Sequence, residues 1–563
     1  MFIAHSSALR RDNCTPRNEP LTSHGKRAIH ENINLEYPDN WKFIEDSAIS
    51  ILLHAPKYVE EQLINAQSKL RTAEWLSYLH TVDGPYLVVR ISSGSIEISR
   101  SLYRGLDVFY THIAGSLVFS TSPSVLLRLK REKSHSLDLD YCRRFILDRP
   151  VFSGSTAIAG IRAIPIGQSI RSNLASISII GLQKPLPQQK GPIEILTKKL
   201  STLAASFSSI SLSFSGGLDS SALLHCLATA SITFDAIHGV SPLPYADTER
   251  REAEQVAAAY GKHLKHIKMI ESDALTFTPS CLKEPAYRSP FDVNIFLTPG
   301  ANPQQQQAVA DFSANELMIT GHGGDHVFLQ NPNWNVGFDR IHKLEVLGFF
   351  HDVKRFCTLK KANFYRGVHE NLRLLLNPRG SNGGLHTPKW MQAGEILPAA
   401  DNHYLLNELD PRSAKFDHVW SILLGLNTIQ MENSVVRTTI HPLLLPDVIG
   451  TVMYRPVREL FSAQHDRFYF RRDLYKSAGY DFAWRKSKRS SSASLFNYFS
   501  ENHASLFTWL EDGFIAKQLT LDLAELKKSL KKNGSTYLDD DFPALINLIQ
   551  LEGFVQSVLH HSQ

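Results

Sequence analysis

Cysteine is scarce in this sequence, with five among 563 residues. The five are scattered, form no C-x-x-C pair and are odd in number. Such a set does not fit a disulfide-stabilised secreted protein and favours a reduced, cytoplasmic environment. The cysteines are Cys14, Cys142, Cys226, Cys281 and Cys357.

Long apolar runs and a strong charge of one sign are also lacking. No run of about 18 apolar residues is apparent, so we expect no membrane span. Residues 1–20 carry arginines but no apolar core of a signal peptide. The net charge of +5 is small for this length, so neither a nucleic-acid nor a membrane partner is implied. A chain of 563 residues is expected to hold two or three domains.

Residues 210–228 carry the pattern that is most informative about chemistry. Apolar residues alternate at 210, 212 and 214, which predicts a short strand, and helical spacing begins at Ser220. Gly216 and Gly217 lie between them, where glycine lets the backbone turn tightly and approach a ligand. The free N–H groups of the following helix would form an anion site. The G-x-x-x-x-G-K-[ST] spacing of the nucleoside-triphosphate P-loop is absent.

Residues 215–220, Ser-Gly-Gly-Leu-Asp-Ser, resemble the S-G-G-x-D-S pyrophosphate loop of the asparagine synthetase superfamily, the adenylating amidotransferases. The structural alternative is a tight strand–helix turn that binds nothing. The resemblance implies a loop that binds the phosphates of ATP. The residues it would use are Ser213, Ser215, Gly216, Gly217, Asp219 and Ser220.

Residues 320–328, Thr-Gly-His-Gly-Gly-Asp-His-Val-Phe, resemble a second loop of the same superfamily, G-x-G-x-D-E-x-F, with His326 in the place of glutamate. The resemblance implies that Asp219 and Asp325 together hold Mg²⁺, which prefers few carboxylates plus phosphate oxygens. We expect the two carboxylates to lie close together and to repel each other until Mg²⁺–ATP binds. His322 and His326 lack a third ligand at suitable spacing, so a zinc site is not expected. The glycines that would line the phosphates are Gly321, Gly323 and Gly324.

Two further segments resemble parts of the same active site. The predicted strand 234–240 ends in His238, Gly239 and Val240, which resemble the lining of the adenine pocket. An ordinary buried strand end explains these side chains equally well. Residues 484–489, Trp-Arg-Lys-Ser-Lys-Arg, resemble a basic segment whose lysine stabilises the transition states. The alternative interpretation of residues 484–489 is a solvated basic loop without a catalytic role. The candidates for the catalytic lysine are Lys488 first and Lys486 second.

Residues 438–447 resemble the E-x-R-x-P-F-L-D segment that shapes the acceptor side of asparagine synthetases. The proline matches, but Thr438 replaces the family glutamate and Ile440 replaces the arginine. These departures argue against aspartate and ammonia as substrates. We assign Thr438 and His441 to the acceptor side of the site.

Residues 41–183 resemble the glutaminase-like N-terminal domain of that family. Short strands separated by turn residues predict an antiparallel sheet or sandwich. The family nucleophile is a cysteine directly after the initiator methionine, whereas Phe2 stands there and the nearest cysteine is Cys14. Without a thiol nothing attacks glutamine, so we expect a scaffold that has lost glutamine hydrolysis. The predicted strands are 86–91, 95–99, 108–111 and 117–120.

The remaining boundaries follow from changes of pattern. Residues 1–40 are polar and predict an ill-ordered extension, and the proline-rich stretch 184–192 predicts a linker. Residues 193–563 form the predicted synthetase domain, an α/β ATP-pyrophosphatase type. Alternating strands and helices there predict a doubly wound parallel sheet, which binds ligands at the carboxyl ends of its strands. The chain is mostly helical from 333 onward, with helices predicted at 416–426, 515–530 and 543–559.

The resemblance implies an ATP-dependent, AMP-forming amide ligase. Among family relatives without the thiol, the lasso peptide cyclases are most similar, in length, in the Gly-His-Gly-Gly-Asp-His loop and in the altered acceptor segment. A lasso cyclase activates an Asp or Glu side chain of a precursor peptide, whose own N-terminal amine closes a macrolactam. The partners implied are that peptide, a leader-peptide protease and a leader-recognition protein. The alternatives are a small-molecule amide or β-lactam-type synthetase, an asparagine synthetase-like enzyme, and an inactive binding paralogue.

Overall fold

A computed structural model provides the architecture of the chain. The residues that it describes are 2–6, 26–30, 33–45, 49–70, 74–92, 94–131, 136–148, 150, 152–173, 176–240, 246–268, 277, 279, 286–293, 316–376, 387–391, 403–429, 438–486, 492–533 and 541–563.

The N-terminal part consists of two antiparallel six-stranded sheets. The first has the order β10-β8-β9-β1-β3-β2 and the second the order β12-β11-β7-β6-β5-β4. Apolar side chains from both sheets meet in one core, as the alternating pattern requires. The predicted antiparallel sheets are therefore confirmed. The strands are β1 Ile3–Ser6, β2 Lys26–His30, β3 Ile33–Tyr37, β4 Lys42–Glu45, β5 Ser50–His54, β6 Leu87–Ser92, β7 Ser95–Arg100, β8 Phe109–Ile113, β9 Ser116–Ser120, β10 Arg162–Ala163, β11 Gln168–Ser172 and β12 Ile177–Leu182.

The expectation of an ill-ordered extension over 1–40 was wrong for its described residues. Strands β1, β2 and β3 lie in the first sheet, where β1 pairs with both β3 and β9. Phe2 and Ile3 are fully buried. The apolar stretches are short and separated by polar residues, so the sequence pattern alone did not reveal that their partners lie far along the chain.

A five-stranded parallel sheet follows, in the order β15-β14-β13-β16-β17. The chain builds outward from β13 to β15 and then returns to the other side of β13, so the strand order reverses between β13 and β16. Ligands of open parallel sheets bind at such a switch point. The predicted parallel sheet is confirmed. Its strands are β13 Ile210–Ser213, β14 Asp235–Val240, β15 Leu264–Lys268, β16 Leu317–Ile319 and β17 Thr438–Ile440.

Helices surround the sheets and dominate the C-terminal third. Of the predicted linker 184–192, residues 184–191 carry neither helix nor strand, and Pro192 already begins the next helix. The helices are α1 Lys57–Asn65, α2 Gln67–Leu70, α3 Trp75–Leu79, α4 Pro123–Lys130, α5 Leu139–Ile146, α6 Pro192–Ala204, α7 Leu218–Thr229, α8 Ala246–Ala258, α9 Gly324–Val327, α10 Phe338–His342, α11 Val346–Lys360, α12 Phe364–Leu376, α13 Ala414–Asn427, α14 Pro446–Met453, α15 Phe468–Ala478, α16 Ser492–Glu511, α17 Phe514–Leu519, α18 Leu523–Asn533 and α19 Phe542–His560.

The described apolar side chains of the last four helices, α16–α19, share one core with those of α4 and α5 of the N-terminal part. One apolar core therefore joins the two ends of the chain. The single helix predicted over 515–530 is two helices, because Thr520 at φ +53° ends α17.

Helix α19 is long and apolar enough to cross a membrane by length and composition, contrary to the expectation of no such stretch. Of its most apolar window, 72% is buried inside the structure, as in the core helix of a globular protein. The length and composition of α19 are therefore only weak evidence for a membrane span.

Candidate active site

The loop between β13 and α7 is held by its own hydroxyl groups. The Ser215 and Ser220 Oγ atoms lie 3.2 Å apart, and the Ser215 backbone N–H donates to Ser220 Oγ at 3.3 Å. The Gly217 N–H donates to Ser215 Oγ at 3.3 Å, and Ser220 Oγ donates to the Gly217 carbonyl at 3.2 Å. Ser213 ends the strand that enters this loop. The loop therefore places hydroxyl and N–H groups at the start of α7, where the helix dipole favours an anion.

Gly216 is required by conformation and by space. Its φ is +73°, and a Cβ atom there would lie 2.9 Å from the Ala253 Cα of helix α8. A side chain at this position would push the loop away from that helix.

The second loop, between β16 and α9, packs directly onto the first. A Cβ atom at Gly321 would lie 3.1 Å from the Ser220 backbone nitrogen, and one at Gly324 would overlap the Asp219 carboxylate. Gly323, at φ +90°, has similarly little space beside Leu444. The structure thus brings together the two glycine-rich loops that the sequence singled out.

Asp219 and Asp325 meet at one guanidinium group. Arg467 Nη1 donates to Asp219 Oδ2 at 2.9 Å and to Asp325 Oδ1 at 2.5 Å. Arg467 is 2% exposed and precedes helix α15. The expectation that the two carboxylates repel each other was wrong, because this internal cation lies between them. Arg467 was missed because it is 248 residues from Asp219 and carries no motif signal.

The pKa of Arg467 reflects this environment. Burial on its own lowers the pKa of the guanidinium, but the negative charges of Asp219 and Asp325 raise it above its ordinary value. The group is therefore a permanent positive charge at this position.

The pair of aspartates fits Mg²⁺. Two carboxylates that converge on one cation leave the remaining ligands to phosphate oxygens and water, which is the donor set that Mg²⁺ takes. Within the described part of the chain no group of three His, Cys, Asp or Glu side chains could hold a metal on its own.

His238 lies buried beside the first loop. Its Nδ1–H donates to the Phe214 carbonyl at 2.8 Å, which ties the end of β14 to the entry of the loop. Gly239 is exposed and Val240 is half-buried. These residues lie next to the phosphate loop, and the adenine-binding role stays a prediction.

His441 follows the carboxyl end of β17, next to the second loop. Its Nδ1 lies 2.5 Å from Thr320 Oγ1, and its backbone N–H donates to Tyr103 Oη at 2.9 Å. Burial, and to a lesser extent the neighbouring His322, lowers the pKa of His441 to about 3. The structure does not bring Thr438 to this position, because Thr438 starts the strand and pairs with Leu317. Thr438 lies three residues, or about 10 Å, before His441 along the strand, at the end opposite the loops.

Of the two candidate lysines, Lys488 lies outside the described residues. Lys486 is exposed and follows a segment that Arg471 holds by donating to the carbonyl groups of Ala483 at 2.8 Å and Arg485 at 3.0 Å. The charge of Lys486 contributes to the lowered pKa of His465, after burial and Arg471. Lys486 is therefore near the segment that carries Arg467.

The position of the family thiol is filled by a packed ring. Phe2 stacks on Trp41 with ring centroids 5.3 Å apart and planes at 15°, and its N–H donates to Thr121 Oγ1 at 3.0 Å. Cys14 lies outside the described residues. This arrangement leaves no nucleophile at Phe2, and the loss of glutamine hydrolysis stays a prediction.

Comparisons with known proteins bear on the resemblance. No family model matches the chain. It is 23% identical over 487 residues to the microcin J25-processing protein McjC of Escherichia coli, and the match covers 85% of this chain and 86% of that protein. A solved glutamine phosphoribosylpyrophosphate amidotransferase from B. subtilis has 10% sequence identity and a TM-score of 0.19, covering 53% of this chain and 63% of that one. The match to McjC confirms the resemblance inferred from the sequence: over most of its length this chain is similar to a microcin J25-processing protein.

Proposed function

We propose that the chain is an ATP-dependent, AMP-forming amide ligase that closes a macrolactam in a precursor peptide, as lasso peptide cyclases do. It activates an Asp or Glu side-chain carboxyl, and the N-terminal amine of the same peptide attacks it. The observation that supports this best is the pair of loops at the carboxyl edge of the parallel sheet, with Asp219 and Asp325 on one cation. The similarity to a microcin-processing protein favours a peptide as the substrate.

Each group of site residues would have a separate chemical role. The Ser215–Ser220 loop would hold the pyrophosphate of ATP through N–H and hydroxyl donors at the start of α7. Asp219 and Asp325 would hold Mg²⁺, and Arg467 would then be free to donate to phosphate oxygens. When bound, Mg²⁺ neutralises charge on the departing pyrophosphate. Lys486 or Lys488 would add positive charge near the reacting phosphate.

We infer that the nitrogen comes from the peptide itself, because Phe2 and not a cysteine stands where the glutaminase-like domains carry their nucleophile. The side-chain carboxylate oxygen first bonds to the α-phosphorus of ATP, and the bond to pyrophosphate breaks with its electron pair on pyrophosphate. The amine nitrogen then bonds to the acyl carbon, the bond to AMP breaks with its electron pair on AMP, and the amine loses a proton to solvent. Holding both ends of one peptide in one site supplies the high effective concentration that ring closure requires. We also infer a cytoplasmic location, together with a leader-peptide protease and a leader-recognition protein as partners.

The test uses the purified protein with Mg²⁺–ATP and a leader-free precursor peptide from a neighbouring short open reading frame. We expect AMP and pyrophosphate in equal amounts and a peptide product that has lost one water. Asp219→Asn and Asp325→Asn should each reduce turnover by several orders of magnitude. Release of ADP and phosphate as the stoichiometric products would contradict the proposal. Glutamine should yield no glutamate.

A further inference from the structure

A cavity of about 540 Å³ lies beside Asp325. It shares that aspartate with the paired-carboxylate site, but none of residues 213–220 or 238–240 lines it. The cavity therefore adjoins the proposed nucleotide site and meets it at Asp325.

The lining combines acidic and apolar side chains. Asp148, Asp325 and Asp417 provide carboxylates, whereas Leu329, Trp420 and Leu424 provide apolar walls. Among the described residues no lysine or arginine lines the cavity. This environment disfavours a phosphate or carboxylate ligand and favours a cation that has an apolar neighbour.

Asp417 is held in place by two amides. Asn333 Nδ2 and Asn335 Nδ2 each donate to Asp417 Oδ2 at 2.9 Å. Asn335 is 2% exposed, and its amide is further fixed by donating to the Arg412 carbonyl at 3.1 Å. The carboxylate is therefore pre-oriented rather than free to rotate, as in a built binding site.

The N-terminal part supplies one wall of the cavity. Asp148 follows α5, and the Pro150 carbonyl accepts a hydrogen bond from Trp420 Nε1 at 3.4 Å. The Trp420 ring also lies against Phe152, with centroids 6.0 Å apart. A domain that has lost its thiol thus still contributes to the site.

We propose that this cavity binds the N-terminal end of the substrate peptide, with Asp148 and Asp417 facing its α-ammonium group and Leu329, Trp420 and Leu424 contacting the first side chains. The proposal rests on the proposed function, because it names where the attacking amine is held before it loses its proton. Asp325 then lies between this amine and the nucleotide, where the two substrates must meet.

The experiment measures binding of a small probe by calorimetry without nucleotide. The probe is glycyl-leucinamide, which has a free α-amine. The matched control is N-acetyl-glycyl-leucinamide, in which that amine is blocked. We expect saturable binding of the free amine and at least fivefold weaker binding of the acetylated form. Acetyl-lysinamide, with its ammonium group on a flexible side chain, should also bind at least fivefold more weakly than the free α-amine. Equal binding of either analogue, or no saturable binding of glycyl-leucinamide, would overturn the proposal.

Variants locate the site. Asp148→Asn and Asp417→Asn should each weaken binding of glycyl-leucinamide at least fivefold, whereas Asp39→Asn, at an exposed aspartate in the N-terminal part, should not. Asp148 has φ +55°, a conformation that asparagine tolerates, so this variant decides the outcome if Asp417→Asn unfolds. Unchanged binding in Asp148→Asn would overturn the proposal. Intact probe binding without AMP formation would instead contradict the proposed function alone.

Discussion

At the scale of single residues, the site depends on a charge balance that involves Arg467. Two carboxylates on facing loops would destabilise the nucleotide-free protein if they were alone. Arg467 contacts both and is nearly fully buried. The same contacts that stabilise the empty site must be rearranged when Mg²⁺–ATP binds, so stability and nucleotide binding are coupled here.

Substitution of Arg467 tests this balance. Arg467→Met leaves two carboxylates without their cation and should destabilise the nucleotide-free protein by about 3 kcal/mol. Asp219→Asn should also lower the melting temperature, because it leaves the buried guanidinium with less compensation. The double variant should recover part of the loss, since the two residues interact directly. Thermal unfolding without nucleotide measures all three, with the exposed Arg251→Met as control. An unchanged melting temperature in Arg467→Met would show that Arg467 does not offset the charges of the two aspartates.

At the scale of elements, local patterns were predictable and distant pairings were not. The strand–glycine–helix sequence around Gly216 identified its loop because every component lies within about a dozen neighbouring residues. Strand β1 was missed because its partners, β3 and β9, are recognised only once the sheet has formed. Arg467 was missed for the same reason, since only folding brings α15 to the two loops. Thr438 was misplaced because a motif match does not show at which end of a short strand a residue lies.

The contact between the first loop and helix α8 can be tested with two glycines of similar conformation. Gly216 has φ +73° and Gly261 has φ +64°, but only at Gly216 would a Cβ atom lie 2.9 Å from backbone. Gly261→Ala should lower the free energy of unfolding by about 1 kcal/mol, because alanine is disfavoured in the left-handed conformation. Gly216→Ala should lower the free energy of unfolding by about 1–3 kcal/mol more, because the added methyl group forces the loop away from α8. Denaturant unfolding compares them. Equal losses would show that α8 does not constrain the loop.

At the scale of the whole molecule, the predicted domains are joined by buried polar contacts. Arg104 of the N-terminal part donates to Asp292 Oδ1 at 2.8 Å and to the Ile429 carbonyl at 2.8 Å. His403 donates through Nε2–H to the Ile166 carbonyl at 3.0 Å, and the Tyr404 hydroxyl donates to the Gln183 carbonyl. The sequence pattern placed a boundary at 184–192, but these contacts cross it. We therefore expect both parts to unfold together.

His403 makes this joint stability dependent on pH. It is fully buried, and burial lowers its pKa to about 4. In the unfolded chain a histidine titrates near about 6.5, so between these values the unfolded state binds the extra proton. The contribution of neutral His403 to the free energy of unfolding is therefore fully present above about pH 6.5. It is lost as the pH falls toward 4, by roughly 3 kcal/mol in total.

The measurement is the free energy of unfolding by denaturant between pH 4 and pH 7. Near pH 5 the wild-type curve should fall with decreasing pH, and His403→Gln, which cannot take up the proton, should reduce that slope by about 1.4 kcal/mol per pH unit. His369→Gln, at an exposed histidine, is the matched control and should leave the slope unchanged. At pH 7 His403→Gln should be less stable than wild type because glutamine does not reproduce the ring packing against Tyr404. The wild-type and variant curves should therefore converge as the medium is acidified. Parallel curves would show that His403 takes up its proton without unfolding and does not limit stability in acid.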